Sequence, residues 1–232
     1  MKKFISVLII SSMFVSFISI NCHCLENTKN DKKTVYITFD DGPNKNTPEI
    51  LDLLNKYNMK ATFFVLEDRI TVYPDIVDRM LKEGHSIGLH GQSHEKTVFY
   101  SSGSSALNEI NNTRHTLKEL TGYDTKLVRV PYGSKPYLTK SQYDSLVDSG
   151  YNLWDWSIDS TDTHKNATVS SIVSNTLNTL EESGNSVILF HDKQTTVKAL
   201  SGVLKYLKYN DYEIKVIDQN QSPMNWWNRN FY

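Results

Sequence analysis

The chain contains an apolar run that ends in two adjacent carboxylates: residues 34–43 read TVYITFDDGP. The β-branched and aromatic residues of this run predict a buried strand, and Gly42 with Pro43 predicts a turn after it. Two neighbouring carboxylates are costly unless a cation, a proton or an arginine separates their roles. Asp40 and Asp41 therefore mark either a functional site at a strand end or, as the simpler alternative, an ordinary Asp-Gly turn at the surface.

Strand-like and helix-like segments alternate along the rest of the chain. The predicted strands are 34–39, 61–66, 86–89, 126–130, 151–156, 186–190 and 212–217. The first predicted helix begins at Thr47. The others cover 74–82, 107–120, 138–147, 169–180 and 196–207. This alternation is typical of parallel βα units, and about seven repeats in one domain favour an α/β barrel over an open sheet.

The beginning of the chain has the form of a secretory leader, with Lys2 and Lys3 before an apolar stretch at 4–20. We interpret residues 1–24 as a signal peptide or membrane anchor, because the stretch is also long enough to stay in a bilayer. Lipid modification at Cys22 is a third alternative. The remaining predicted boundaries are a polar linker at 25–33, the barrel at 34–217 and an aromatic C-terminal tail at 218–232.

The leader predicts an extracytoplasmic protein, secreted or anchored at the outer face of the cell membrane, which touches the membrane only through its N-terminal segment. Both cysteines, Cys22 and Cys24, fall at the end of the leader, so the folded part needs no disulfide framework. The formal net charge is −1 and no basic stripe is present, which excludes nucleic acid as an expected partner.

Polar residues follow the predicted strands at the point where each strand ends. They are Asp40 with Asp41, His90 with His94, Arg129, the group Asp155, Asp159 and Asp162, and His191. Each has a simpler explanation as a surface pair, an ion pair or a core histidine. Because all strand ends of a parallel barrel meet at one face, their coincidence on successive strands predicts an active site there.

The residue types suggest metal-assisted hydrolysis. His90 and His94 with one carboxylate of the aspartate pair make a His₂Asp site, which leaves positions open on a divalent metal. Arg129 is placed to keep a carboxylate ionised. His191 suits the role of a proton donor.

These segments, in this order and spacing, resemble the polysaccharide deacetylases of carbohydrate esterase family 4, the NodB homology domain. The resemblance covers about residues 34–217 and rests on 38–43, 90–94, 129–132, 156–162 and 189–191. It implies a distorted (β/α) barrel, a divalent metal that is usually Zn²⁺ with Co²⁺ as the alternative, and removal of acetyl groups from N-acetylated sugars.

The resemblance also implies a role for each matching residue. These roles are metal ligand for Asp41, His90 and His94; general base for Asp40, oriented by Arg129; general acid for His191, tuned by Asp162; oxyanion donor for the backbone N–H of Tyr132; and wall of the acetyl pocket for Leu189.

Two positions depart from the family pattern. Gly91 stands where the family usually has Ser or Thr, and we expect a mild effect because the metal-binding nitrogens are kept. Thr163 stands where the family often has Trp, so another aromatic side chain is needed at the acetyl pocket. Trp154 and Trp156 are the candidates, and we place Trp156 among the substrate-binding residues.

The expected substrate is a polysaccharide, first of all the N-acetylglucosamine residues of peptidoglycan, acted on by a monomer. Chitin oligomers, poly-N-acetylglucosamine and acetylated xylan are alternatives. A non-catalytic glycan-binding relative is a further alternative, although it would be expected to lose Asp40 or His191. The aromatic residues Phe99, Tyr100, Trp226 and Trp227 either stack on sugar rings or, as we expect for the tail, strap it onto the barrel.

Overall fold

The computed structural model describes residues 33–228 of the 232-residue chain. The predicted leader, the linker apart from Lys33, and the last four residues of the predicted tail lie outside the described residues. The interpretation of those segments stays a prediction.

Eight strands form one parallel sheet within residues 33–228. They are β1 (Thr34–Gly42), β2 (Thr62–Leu66), β3 (Ser86–Gly91), β4 (Leu127–Val128), β5 (Asn152–Leu153), β6 (Ile158–Asp159), β7 (Ser186–His191) and β8 (Glu213–Lys215). Seven strands follow the order β5-β4-β3-β2-β1-β7-β6. The eighth, β8, pairs with the first residues of β1, on the same edge of β1 that pairs with β2 from Thr38 onward. The predicted α/β fold, a distorted (β/α) barrel of parallel strands, is confirmed.

The buried strand β1 divides its side chains between the two faces of the sheet. Val35, Ile37 and Phe39 belong to the large core under the helices. Tyr36 points the other way, into a smaller cluster with side chains from neighbouring strands: Phe64, Leu127, Trp154, Val187 and Ile217. Because side chains alternate along a strand, Thr38 and Asp40 continue the inner face. The pleat of β1 therefore delivers Asp40 to the inside of the barrel.

Eight helices accompany the strands in the described part of the chain. They are α1 (Thr47–Tyr57), α2 (Glu67–Val72), α3 (Pro74–Lys82), α4 (Lys96–Phe99), α5 (Ser105–Thr121), α6 (Lys140–Asp148), α7 (Val169–Glu182) and α8 (Gln194–Tyr209). The six longest match the predicted helices, whereas α2 and α4 are too short to leave a periodic signal. No helix within residues 33–228 has the length and apolar character that spanning a bilayer requires.

The predicted strand at 151–156 is wrong in extent. Only Asn152 and Leu153 pair as β5, and the chain then crosses to β6, which the sequence analysis does not predict. Asp155 leaves the ladder because its backbone N–H donates to Met224 O at 2.9 Å, and Asn225 Nδ2 donates to Leu153 O at 3.0 Å. The C-terminal segment thus fills the gap between the two ends of the curled sheet.

Candidate active site

The predicted site residues converge at the carboxyl ends of the strands. Asp40 and Asp41 lie near the end of β1, His90 near the end of β3, and His191 at the end of β7. Arg129 follows β4 directly. Asp40 and His191 are register partners in the β1–β7 ladder, so the candidate base and acid stand side by side.

Three side chains form a group suited to a divalent cation. Asp41 Oδ1 lies 3.4 Å from His90 Nε2 and 3.4 Å from His94 Nε2. One ligand atom from each residue lies within 4.8 Å of the others. Asp41 Oδ1 is buried and has no hydrogen-bond partner among the described residues. A buried carboxylate oxygen between two imidazole nitrogens is a donor set that zinc prefers, so these residues fit the predicted metal.

The pKa shifts of Asp41 and His94 favour cation binding. At His90 burial acts to lower the pKa, but the charges of Asp40 and Asp41 raise it. Burial acts to raise the pKa of Asp41, but the close imidazole of His90 and the positive charges that His90, His94 and His191 can carry outweigh it and lower that pKa. Burial and the neighbouring His90 lower the pKa of His94. An ionised carboxylate and a neutral imidazole are the forms that ligate metals.

A backbone carbonyl fixes the orientation of His90. Its Nδ1 lies 2.7 Å from Arg129 O, which accepts only from a protonated Nδ1. The Nε2 lone pair is then left facing Asp41, the arrangement that metal-binding histidines usually have. Asp41 and His94 both adopt left-handed backbone conformations, with φ of 68° and 57°. Such conformations in non-glycine residues cluster at functional sites.

A buried glutamate in α5, which sequence reasoning missed, holds the loop between the two histidines. Glu109 Oε2 accepts from the backbone N–H groups of Gln92 and Ser93 at 3.0 and 3.2 Å, and Oε1 accepts from Ser93 Oγ at 3.0 Å. The signal was available: Glu109 lies on the same helical face as the buried Ala106 and Ile110.

Glu109 also explains the departure at Gly91. That residue has a φ of 104°, and a Cβ there would lie 2.9 Å from the Phe99 ring and 3.2 Å from Glu109 Oε2. A Ser or Thr does not fit this conformation without movement of the surrounding side chains. The loop is instead held by Glu109, and both histidines lie 3.4 Å from Asp41 Oδ1. That the departure has a mild effect stays a prediction.

Arg129 lies wholly buried against the candidate base. Its Nη1 donates to Asp40 Oδ1 at 2.9 Å and to Thr38 Oγ1 at 2.7 Å. Its other nitrogens donate to Trp154 O at 3.2 Å and Asp155 O at 3.0 Å. The guanidinium therefore holds Asp40 in one orientation and compensates a carboxylate that is only 2% exposed.

His191 is paired with Asp162 as the sequence predicts. His191 Nδ1 lies 2.9 Å from Asp162 Oδ1, and Asp162 Oδ2 accepts from the His191 backbone N–H and from Thr196 Oγ1. Burial acts to lower the pKa of His191, but the Asp162 hydrogen bond and the charges of Asp162, Asp40 and Asp41 raise it to about 9. The imidazolium keeps Nε2 toward the site, 3.9 Å from Asp41 Oδ2.

The candidate substrate-binding residues lie around these groups. Tyr132 is 45% exposed, with its ring 4.6 Å from that of His94. Leu189, two residues before His191 in β7, is on the same face of that strand. Trp156 is half-buried, with its ring 5.8 Å from the Arg129 guanidinium. Trp154, the other candidate to replace the family tryptophan, is fully buried in the inner cluster.

Asp155 has a supporting position that sequence reasoning left without a role. Its carboxylate accepts from Ser134 N at 2.8 Å, from Ser134 Oγ at 2.5 Å and from Trp226 N at 2.8 Å. It joins the turn that carries Tyr132 to the C-terminal segment. Gly133 in this turn has a φ of 80°, and a Cβ there would lie 2.4 Å from the Trp226 ring.

Comparison with known proteins gives a consistent result. The family described as Polysaccharide deacetylase matches residues 27–153. A Bacillus subtilis relative, YheN, is 44% identical over 196 residues, which cover 83% of this chain and 70% of that protein. A Bacillus cereus peptidoglycan-N-acetylglucosamine deacetylase is 36% identical over 207 residues, covering 86% of this chain and 75% of that protein.

A solved structure shows the same fold. The crystal structure of the polysaccharide deacetylase Bc1974 from Bacillus cereus aligns with a TM-score of 0.78 at 33% identity, covering 87% of this chain and 100% of that one. The predicted resemblance is confirmed by sequence and by fold. The chain belongs to the polysaccharide deacetylase family.

Proposed function

We propose that the chain is a metal-dependent hydrolase that removes the acetyl group from N-acetylglucosamine residues of peptidoglycan. The observation that carries the proposal is the pair of proton-transfer groups beside the cation-binding group: Asp40, held by Arg129, and His191, held by Asp162. The activity named for the Bacillus cereus relative supports the choice of substrate.

Asp41, His90 and His94 would hold the cation, for which we propose zinc, with cobalt as the alternative. A divalent cation at such a site supplies Lewis-acid chemistry, polarising a carbonyl oxygen and lowering the pKa of water. The Arg129 carbonyl and Glu109 serve this function indirectly, because they hold the His90 ring and the His94 loop in place.

Amide hydrolysis needs one group that takes a proton from water and another that gives a proton to the departing nitrogen. Asp40 accepts the proton of the attacking water while Arg129 fixes its orientation. His191 donates its Nε2 proton to the amide nitrogen as the carbon–nitrogen bond breaks, and Asp162 stabilises its charge. The products are acetate and a sugar with a free amine.

Three residues bind the acetyl group in this proposal. The backbone N–H of Tyr132 stabilises the negative charge that develops on the carbonyl oxygen, as oxyanion donors do. Leu189 and Trp156 form apolar walls for the methyl group. The turn at Tyr132 is suited to this role because Asp155 and Trp226 hold the residues that follow it.

Export is part of the proposal, since peptidoglycan lies outside the cytoplasmic membrane and the sequence begins with a leader-like segment. We propose a monomer at the outer face of the membrane or beyond it. Fractionation of cells expressing the full chain tests the location, and recovery in the cytoplasm alone would contradict it.

Acetate release from three substrates tests the proposed activity: peptidoglycan strands, chitin oligomers and acetylated xylan. We expect the purified chain to release acetate fastest from peptidoglycan, to lose activity in a chelator and to recover it with zinc. Faster release from xylan would identify an esterase instead. Binding of the strands without release in the presence of zinc would identify a non-catalytic glycan-binding protein.

The Asp162→Asn variant should lose activity at lower pH than the unchanged chain. His191 donates a proton only while it is protonated, so activity is present below its pKa and is lost as the pH rises through that value. Because Asp162 contributes to raising this pKa, its removal should move the alkaline limb of kcat from near pH 9 toward the ordinary histidine value of 6.5. Asp124→Asn, on the outer surface, is the control. An alkaline limb that stays in place would contradict the assignment of His191.

A further inference from the structure

An exposed ledge of two tyrosines and one lysine extends outward from the second metal-ligand candidate. Tyr132 lies against His94, and its hydroxyl donates to His94 O at 3.2 Å. Tyr137 stands edge-on to Tyr132, with ring centroids 6.1 Å apart at 82°. Lys96 Nζ is held 3.3 Å from the Tyr137 centroid and 5.9 Å from that of Tyr132. We call these three residues, Lys96, Tyr132 and Tyr137, the lysine ledge.

The lysine ledge is accessible. Tyr132 is 45% exposed and Tyr137 is 38% exposed, and Lys96 belongs to the exposed residues. Large aromatic side chains are normally buried, so two adjacent exposed tyrosines beside a reaction centre point to a binding role. Their rings offer flat surfaces for the apolar faces of a sugar next to the one that reacts.

The charge of Lys96 is not used within the described part of the chain. No carboxylate of residues 33–228 lies within ion-pair distance of its ammonium group, although Glu95 is its neighbour in sequence. Lys56 and Lys135 also have no carboxylate of the described residues within ion-pair distance, so what distinguishes Lys96 is its place over Tyr137, next to Tyr132 and the candidate site. A cation that is positioned by tyrosine and unpaired is free to meet an anion on the substrate.

We propose that the lysine ledge binds a carboxylate of the substituent carried by the sugar residue adjacent to the reacting N-acetylglucosamine. The inference rests on the proposed function and narrows it to one substrate class, glycans that carry a carboxylate-bearing substituent. Peptidoglycan meets this requirement, because its alternate sugars carry a lactyl ether whose carboxyl group is joined by an amide bond to a peptide, and this peptide bears free carboxylates. Chitin and poly-N-acetylglucosamine are neutral and do not.

The expected contribution of Lys96 to binding is small, because its ion pair with a substrate carboxylate would be exposed to water. Ion pairs in contact with water contribute up to about 1 kcal/mol, which corresponds to about a fivefold change in an equilibrium constant. The contribution should decrease as salt increases, because exposed charges are screened. The lysine ledge therefore sets a preference among substrates and leaves the chemical step to the other residues.

Lys96→Met tests the proposal, because methionine keeps an unbranched apolar stem over Tyr137 while removing the charge. Lys135→Met is the matched control, because the Lys135 ammonium also lies over an aromatic ring, 4.3 Å from that of Trp227 in the C-terminal segment. The substrates are peptidoglycan strands, the same strands with their carboxylates amidated, and chitin oligomers. Acetate release gives kcat/KM, and calorimetry gives the Kd of each ligand.

We expect Lys96→Met to lower kcat/KM and weaken binding about fivefold on the native strands at low salt. The change should be less than twofold on amidated strands and on chitin oligomers, and Lys135→Met should not reproduce the difference. Equal losses on all three ligands would overturn the proposal, because they would indicate packing of the tyrosines. No loss on any ligand would also overturn it.

The experiment distinguishes failure of the proposed deacetylase activity from failure of the proposal for Lys96. A wild-type chain that releases acetate from none of the three ligands would refute the proposed activity but leave the calorimetric comparison intact. The Kd ratio between native and amidated strands would then still decide whether Lys96 binds a carboxylate.

Discussion

The Asp40→Asn variant should lose deacetylation and keep its zinc. Asparagine preserves the shape of the side chain, and its amide oxygen can still accept the hydrogen bond that Arg129 Nη1 makes to Asp40 Oδ1 at 2.9 Å. It cannot take a proton from water. Removing a general base of this kind typically costs about 10²–10⁴-fold in rate, so we expect a loss of at least about a hundredfold in kcat.

The neighbouring Asp41→Asn variant provides the contrast for this experiment. Asp41 Oδ1 is the oxygen between the two histidine nitrogens, so its replacement should weaken zinc binding directly. Zinc content after dialysis and the Kd from chelator competition are measured for both variants, together with acetate release. Adjacent aspartates would thereby be separated into a base and a ligand.

Two results would contradict this division of roles. Asp40→Asn with more than about a tenth of the original rate would remove Asp40 from the proton-transfer step. Equal loss of zinc from both variants would mean that Asp40, whose Oδ2 lies 3.8 Å from His90 Nε2, belongs to the cation site as well.

The sequence could indicate which residues lie close together at the candidate site, because their placement follows from the fold. Strand β1 is a continuous β-branched and aromatic run, so both its direction and its pleat are predictable. Once parallel βα units are recognised, every strand end must lie at the same face. Asp40, His90 and His191 could therefore be placed together from the sequence without any knowledge of distances.

The parts that could not be predicted depend on contacts between distant segments. The short β5 and β6 are separated by a crossing that exists because Met224 and Asn225 take the hydrogen bonds of residues 153 and 155. No local period encodes such an exchange. The aromatic tail suggested a strap, but its partners become clear only when Trp226 is seen against Gly133.

The role of Glu109 could be predicted from the sequence only in part. Its position on the buried face of α5 is visible in the helical period, and a buried glutamate requires partners. Those partners, the backbone N–H groups of Gln92 and Ser93, belong to a loop of irregular structure. The sequence thus indicates that the Glu109 carboxylate is buried and needs hydrogen-bond donors. The structure shows that these donors belong to the loop that carries His94.

Replacing Arg129 with methionine should destabilise the protein more than any of the other substitutions considered. The arginine is 0% exposed, and it donates to Thr38, Asp40 and two backbone carbonyls. Its guanidinium also lies 4.2 Å from the Phe64 ring centroid. Removing one partner of a buried ion pair costs about 3–5 kcal/mol, because the other charge is left buried without compensation. We expect a loss of this size in the free energy of unfolding, measured with urea in the presence of a chelator.

Arg114→Met is the control, since Arg114 also pairs with an aspartate, Asp124, through hydrogen bonds of 2.5 and 2.7 Å, but its side chain is 29% exposed. An exposed pair contributes about 0.2–1 kcal/mol. The two variants remove the same side chain and the same charge, so the difference between them measures the combined effect of burial and of the further hydrogen bonds that Arg129 makes to Thr38 and two backbone carbonyls. Similar losses would contradict the structural position of Arg129.

The double variant Arg129→Met with Asp40→Asn identifies the origin of the loss. If the cost arises from the uncompensated Asp40 carboxylate, replacing that carboxylate should recover part of the stability, and the double variant should unfold at higher urea than Arg129→Met alone. If the cost arises from the carbonyls of Trp154 and Asp155, the second substitution should bring no recovery. Recovery of stability without recovery of acetate release would mean that the same ion pair serves both the fold and the reaction.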